Sequence, residues 1–226
     1  MCNKACIDFG LAYLNEDDIQ GKAVIEVGSY DVNGSLRAVI NELNPRTYLG
    51  VDIMAGPGVD EMCTVGELVT RYGKNSFDVV INTEMMEHIQ DWRAAISNLK
   101  NILSPGGVMI LTTRSKGTGY HGYPYDFWRY EMEDMKAIFS DFSIEVLEAD
   151  PSSPGVFVKA YKPMTFSENR SEELNLYSII LGKRCKNVTE HDVRLFKIKR
   201  TLRKSIIRPV KAIIKKIRGK KKSGSS

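Results

Sequence analysis

The chain has 226 residues, 42% of them apolar and 27% charged, which fits a folded globular protein and excludes a wholly disordered or fibrous one. The formal net charge of +4 hides two unlike parts: residues 194–222 hold 14 of the 32 Lys and Arg and no Asp or Glu, which leaves 18 basic against 28 acidic residues, a net of −10, elsewhere. The cysteines (Cys2, Cys6, Cys63, Cys185) form no C-x-x-C pair and no metal-ligand spacing with His88, His121 and His191, so free thiols and no metal are expected.

In chain order, MCNKACIDFG lacks the apolar centre of a signal peptide, and no run of about 18 apolar residues follows anywhere. A cytoplasmic protein is the expectation. Lys22–Val27 reads as a buried strand ending at Gly28. Leu36, Val39, Ile40 and Leu43 have helical spacing, and Pro45 closes that helix. Tyr48–Asp52 is a second strand and Val59–Cys63 a short third, with a helix to about Gly73. Phe77–Asn82 is a fourth strand. A helix over Asp91–Leu103 starts on Asp91 as N-cap. Pro105-Gly106-Gly107 reads as a turn. Val108–Thr113 is a fifth strand, Glu131–Phe139 a helix, and Phe142–Glu148 with Val156–Tyr161 a closing strand pair.

Strand–helix alternation from Lys22 to Phe139 predicts an α/β fold: a Rossmann-like, doubly wound, seven-stranded sheet, mostly parallel with an antiparallel last strand. The predicted organisation is a ligand-binding domain over 1–163, a linker with a short helix over 164–193, a basic amphipathic helical tail over 194–222 and a flexible end over 223–226.

Open α/β sheets bind ligands beyond the carboxyl ends of their strands. Gly28 permits a tight turn there, and Asp52, at the end of the second strand, suits a ribose diol. The dinucleotide pattern G-x-G-x-x-G fails, because Gly28 is followed by Ser29 and Tyr30 and the next glycine is Gly34. The phosphate-loop pattern fails too, because Ser35 follows Gly34.

Taken together, VIEVGSYDVNGS, YLGVD, FDVVINTEMMEH and LKNILSPGGVMILTT resemble, in order and spacing, the class I S-adenosylmethionine-dependent methyltransferases, over roughly Lys22–Tyr161. The likeness is to the small bacterial branch found among glycan and secondary-metabolite genes. The resemblance implies S-adenosylmethionine as cofactor. It implies that Glu26 organises the first loop and the methionine ammonium, and that Gly28, with Ser29 beside it, lets the methionine moiety lie close. Asp52 would hold the ribose and Ile53 flank the adenine. Thr64 and Val65 would meet the adenine edge, and Asn82, Thr83 and Glu84 would floor the methionine and sulfonium. Two departures stand out. Tyr30 and Val32 replace the small residues usual in the first loop, and Thr64 stands where Asp is frequent.

Candidate acceptor residues follow the fourth and fifth strands. RSKGTGYHGYPYDFWRY, residues 114–130, offers His121 as general base and Asp126 as a lesser candidate. His88 either faces the sulfonium or serves as a structural hydrogen-bonder. Tyr123, Phe127 and Trp128 either contact substrate or pack a lid. Arg129 pairs with a substrate carboxylate or with a structural acid.

In the tail, Leu195, Ile198, Leu202, Ile206, Val210, Ile213 and Ile217 trace one helical stripe and seven Lys and Arg the opposite one, with Pro209 as a kink. An anionic membrane surface is the leading expected partner. Docking on the protein's own acidic body and binding to nucleic acid are the alternatives. The resulting expectation is methyl transfer to a hydroxyl of a glycan or small molecule, with the protein peripheral at the inner membrane face. A nucleic-acid methyltransferase and a non-catalytic S-adenosylmethionine-binding protein are the rivals.

Overall fold

The computed structural model describes residues 4–122, 124–169, 171–203 and 205. α1 (Lys4–Tyr13) and the single turn α2 (Glu16–Ile19) precede β1 (Ala23–Val27). α3 (Arg37–Glu42) leads to β2 (Thr47–Asp52) and the two-residue β3 (Glu61–Met62), and α4 (Leu68–Tyr72) to β4 (Phe77–Thr83). A 3-10 turn at Met86–His88 is followed by α5 (Trp92–Ile102), which runs directly into β5 (Leu103–Arg114). Then come β6 (Trp128–Arg129), α6 (Met132–Ile138), β7 (Ser143–Ala149), β8 (Gly155–Tyr161), β9 (Leu176–Ser178), β10 (Lys183–Cys185) and α7 (Glu190–Leu202).

Local chemistry sets where the helices begin. Asp91 caps α5 by accepting from the Ala94 amide at 3.1 Å, and Glu131 with Asp134 forms a reciprocal capping box on α6. The apolar runs of β1 and β4 are buried on both faces, as parallel strands covered by helices must be.

The main sheet has the order β3-β2-β1-β4-β5-β8-β7. β8 runs antiparallel between β5 and β7, and the pairs among β1 to β5 are parallel. This is the expected Rossmann-like architecture. The chain passes from β1 outward to β2 and β3, then returns across β1 to β4. The switch point therefore lies at the carboxyl ends of β1 and β4. One core cluster joins Cys6, Phe9 and Leu14 from the N-terminal helix region, Leu36 and Ile40 around α3, and Val24, Val79, Ile81, Val108, Ile110 and Phe157 from the sheet. α1 is an element that the sequence reading did not assign.

Two further stretches differ from expectation. Pro105-Gly106-Gly107 is a bulge inside β5 and not a turn before it. The register against β4 shifts between Phe77 and Val79, and Gly106 takes a φ of +76°. The Gly106 amide donates to the Lys162 carbonyl and the Lys162 amide to the Gly107 carbonyl, at 2.8 and 2.9 Å, so the ladder on that edge continues through the bulge.

Residues 164–187, read as linker, carry the β9–β10 hairpin. It joins β6 in a second sheet of order β10-β9-β6, pairing Trp128 with Ser178 and Arg129 with Tyr177. The compact unit thus extends to Asn187. The hairpin escaped a pattern reading because its strands have three residues each, too few for a period.

Residues from Val188 onward form a separate unit. Within it, Thr189 and Asp192 cap α7 reciprocally, and Leu195, Ile198 and Leu202 are exposed on it. Lys204 and 206–226, which hold the rest of the predicted tail and the flexible end, lie outside the described residues. Among the described residues, no helix is long and apolar enough to cross a membrane.

Candidate active site

The first half of the site lies around the switch point. The amides of Gly28 and Ser29 both donate to the Val51 carbonyl, at 2.8 and 3.1 Å, which turns the chain sharply off β1. Gly28 has a φ of +83°, and a Cβ there would come within 3.0 Å of the Met85 side chain. Asn82, at the end of β4, donates to the Val27 carbonyl at 2.7 Å. Its Oδ1 and the Ser29 Oγ are buried without a protein partner. Orphaned polar atoms at a switch point mark where a polar ligand fits.

Asp52 ends β2 with its oxygens accepting from the Tyr30 amide at 3.2 Å and the Met54 amide at 3.1 Å. Ile53 and Met54, just after β2, and Met62, at the end of β3, are exposed, an apolar surface of the kind a purine ring covers. Thr64 hydrogen-bonds Glu67 Oε2 through its amide and hydroxyl, at 3.0 and 2.7 Å, and Val65 is half-buried beside it. The bulky Tyr30 in the first loop is accommodated from the opposite side. A Cβ on Gly56 would come within 2.1 Å of the Tyr30 ring edge, so a glycine in the following loop makes the room that a small residue makes elsewhere.

Glu26 is buried in β1, and Tyr48 and Ser35 donate to its Oε2 at 2.6 and 3.2 Å. Burial pushes its carboxyl up to about 7, with the Tyr48 and Ser35 hydrogen bonds and Arg37 acting against the rise. A carboxyl raised in the folded state favours folding fully below its unfolded value near 4.5, and that contribution is lost as pH rises through about 7. The expected slope is about 1.4 kcal/mol per pH unit over this window. Urea unfolding of the ligand-free protein at pH 5 and pH 8 should therefore show a decline that Glu26→Gln removes. An equal decline in that variant overturns the assignment.

The second half of the site lies between β4 and the segment after β5. Glu84 adopts a left-handed φ of +54° and pairs with Arg114, which also holds Asp150 at 2.8 Å. Glu84, expected under the methionine, lines a cavity of about 190 Å³ together with Asn33, Glu87, His88, Arg114, Thr118 and His121. That volume suits one ring or a hydrated ion, and is smaller than a pocket that encloses a whole ligand.

His88, His121 and Asp126, the three candidate catalytic residues, are brought together here. The two imidazoles stack edge to face, with centroids 5.0 Å apart. Asp126 is buried. It accepts from both terminal nitrogens of Arg129, at 2.5 and 2.7 Å, and from the His121 amide at 2.9 Å. Arg129 thus pairs with a structural acid. The hydrogen bonds of Asp126 and Glu87 push the His121 imidazole up to about 10, against the opposing effect of burial.

Phe127 and Trp128 are buried, and the Trp128 indole donates to the Ile89 and Gln90 carbonyls at 3.0 and 3.1 Å. They are packing residues. Tyr123 lies outside the described residues. Glu87 was missed from the sequence; its signal was its place after β4 in NTEMMEH, beside His88.

The fold and these strand-end groups define a Rossmann-like ligand-binding domain with a polar cavity next to the switch point. A family model described as "Methyltransferase domain" matches residues 3–149. The chain belongs to this methyltransferase-domain family, and the expected class I fold is met. A ubiquinone biosynthesis O-methyltransferase of Parvibaculum lavamentivorans is 24% identical over 141 residues, 58% of this chain and 55% of that one. The chain spans about half the length of the curated relatives it matches.

Two solved structures share the fold. One, from Mesorhizobium loti, is described as an S-adenosylmethionine-dependent methyltransferase, with TM-score 0.54 and 18% identity, covering 70% of this chain and 98% of that one. The other is the 1,6-didemethyltoxoflavin-N1-methyltransferase of Burkholderia thailandensis with bound 1,6-didemethyltoxoflavin and S-adenosylhomocysteine. Its TM-score is 0.55 at 15% identity, over 71% of this chain and 77% of that one.

Proposed function

We propose that the protein transfers a methyl group from S-adenosylmethionine to a hydroxyl of a small molecule or glycan. The observation that carries this reading is the pairing of two adjacent sites. Ser29 and Asn82 present unfilled polar atoms and Gly28 a close backbone at the switch point, with Asp52 at the end of the neighbouring strand, and the His88–His121 cavity adjoins the same end of β4. S-adenosylmethionine, when bound, supplies an activated methyl on a sulfonium. This chain's part is then to bind, align and exclude water.

Glu26 meets the methionine ammonium, Asp52 the ribose hydroxyls, and Ile53, Thr64 and Val65 the adenine. His88 and His121 face the acceptor, and Asp126 is a positioning residue that fixes His121. The curated relatives that the chain matches carry the name O-methyltransferase, which supports oxygen as the accepting atom. The test is a screen of phenols, glycans and nucleic acids with methyl-labelled donor. Label on a hydroxyl compound is the expected result; transfer confined to nucleic acid overturns it.

An anionic membrane surface is the proposed partner of residues 194–222, with the protein working at the inner face. Exposed Leu195, Ile198 and Leu202 on α7 support this reading. The full chain should sediment with phosphatidylserine-containing vesicles and lose this on deletion of 194–226. Preference for duplex DNA at matched salt sinks the membrane reading.

A further inference from the structure

Glu87 is fully buried at the back of the cavity, yet its Oε1 accepts no hydrogen bond. Its other oxygen is held by the Thr113 hydroxyl at 2.9 Å, so the carboxylate cannot turn away freely. The Nε2 atoms of His121 and His88 lie 3.5 and 3.8 Å from Oε1. The three groups offer ligand atoms that all fall within 4.8 Å of one another. Two ligands bonded to one ion at 2.0–2.2 Å stand roughly 3–3.6 Å apart, so the two shorter separations need little adjustment.

The far nitrogen of each ring points to an acceptor. His88 Nδ1 is 2.6 Å from the Tyr125 carbonyl. His121 Nδ1 is 3.1 Å from the Gly119 carbonyl and 3.2 Å from Asp126 Oδ2. A carbonyl and a carboxylate only accept, so both Nδ1 atoms carry hydrogen and each Nε2 is the atom left to face Glu87. Ring nitrogens oriented in this way by a carbonyl or carboxylate behind them are the usual outer support of metal-binding histidines. The remaining directions open into the cavity, as in catalytic metal sites and unlike closed structural ones. Glu84, which lines the same cavity, is paired with Arg114.

We propose that Glu87, His88 and His121 form a binding site for a divalent transition-metal ion, open on its cavity side to an acceptor oxygen. Two imidazoles and one carboxylate favour zinc, manganese, iron or cobalt over magnesium or calcium. The use of this site to hold an acceptor hydroxyl, which lowers its proton affinity, rests on the methyl-transfer reading. In that step the hydroxyl proton leaves to solvent, a carbon–oxygen bond forms, and the carbon–sulfur bond breaks with its electron pair passing to sulfur. Metal binding itself does not depend on that reading.

The test is titration of the EDTA-dialysed full chain with Co²⁺ and Zn²⁺, read by visible absorption and calorimetry. One ion per chain is expected, with visible Co²⁺ ligand-field absorption that grows to that ratio and then stops. His88→Gln and His121→Gln should each weaken binding more than 10-fold, Asp126→Asn 10–100-fold, and His191→Gln should leave it unchanged. Wild-type protein that takes up no stoichiometric ion overturns the proposal, as does uptake that persists in the folded His88→Gln/His121→Gln double variant. Metal uptake with no methyl transfer to any acceptor leaves the site standing and removes only its assigned use.

Discussion

Asp52→Ala is expected to weaken binding of S-adenosylmethionine on the order of 100-fold. An ionised carboxylate has about four acceptor positions. Two are used within the chain, by the Tyr30 and Met54 amides, which leaves two for a ribose diol. Hydrogen bonds to a charged group contribute about 1.5–3 kcal/mol each. Loss of the pair, offset by rehydration of the ribose, comes to about 3 kcal/mol, or two decades in affinity. Asp52→Asn keeps one acceptor oxygen and should fall between the wild type and Asp52→Ala. Calorimetry with S-adenosylmethionine and its demethylated product measures all three. The two amides also lose their cap in the alanine variant, so its thermal midpoint is read in parallel. Unchanged affinity in a folded variant removes Asp52 from the donor site.

The second large effect is on stability. Asp126→Ala is expected to cost about 3–5 kcal/mol, the range for removing one partner of a buried pair. Arg129 and Asp126 are both fully buried, and removal of the carboxylate takes away two charge-assisted hydrogen bonds and leaves the buried guanidinium charge with only the Thr118, Gly119 and Trp128 carbonyls as partners. At about 2–4 °C per kcal/mol for a domain of this size, the thermal midpoint should drop by roughly 10 °C. The combined change Asp126→Leu with Arg129→Met should restore much of that loss, because it removes the isolated charge along with its partner. If Asp126→Ala shifts the midpoint by less than about 2 °C, the pair is not what fixes the loop.

That loop joins stability to function. Asp126 grips the His121 backbone amide, and the Phe127 carbonyl accepts from the Ile179 amide at 3.0 Å. Residues 126–129 are thereby fastened between the cavity and the β9–β10 hairpin. A stretch that reads as a linker is in fact the brace of the segment that carries His121 and Asp126.

The sheet and the residues at its strand ends were legible from sequence because both follow from local rules. Parallel strands buried on two faces must be apolar runs, as in AVIEV and FDVVINT. A ligand at the switch point must meet the residues just after those runs, which places Gly28, Asp52 and Asn82 without knowledge of any distant contact. Asp91 as a helix cap is equally local.

The grouping at the His88–His121 cavity was decided by tertiary structure. His88 and His121 are 33 positions apart in the sequence, and a scan for metal-ligand spacing sees only neighbours along the chain. The fold sets their Nε2 atoms against one buried Glu87 oxygen, and no period or motif encodes that convergence. Likewise, whether Arg129 meets a substrate or Asp126, and whether Pro105-Gly106-Gly107 turns or bulges, depend on which strand lies alongside. By itself the sequence determined the strand ends and what they present. Only the packing of strands and loops against one another decided which charges are buried together, because burial, and the energetic cost it places on an unpaired group, belongs to the folded chain alone.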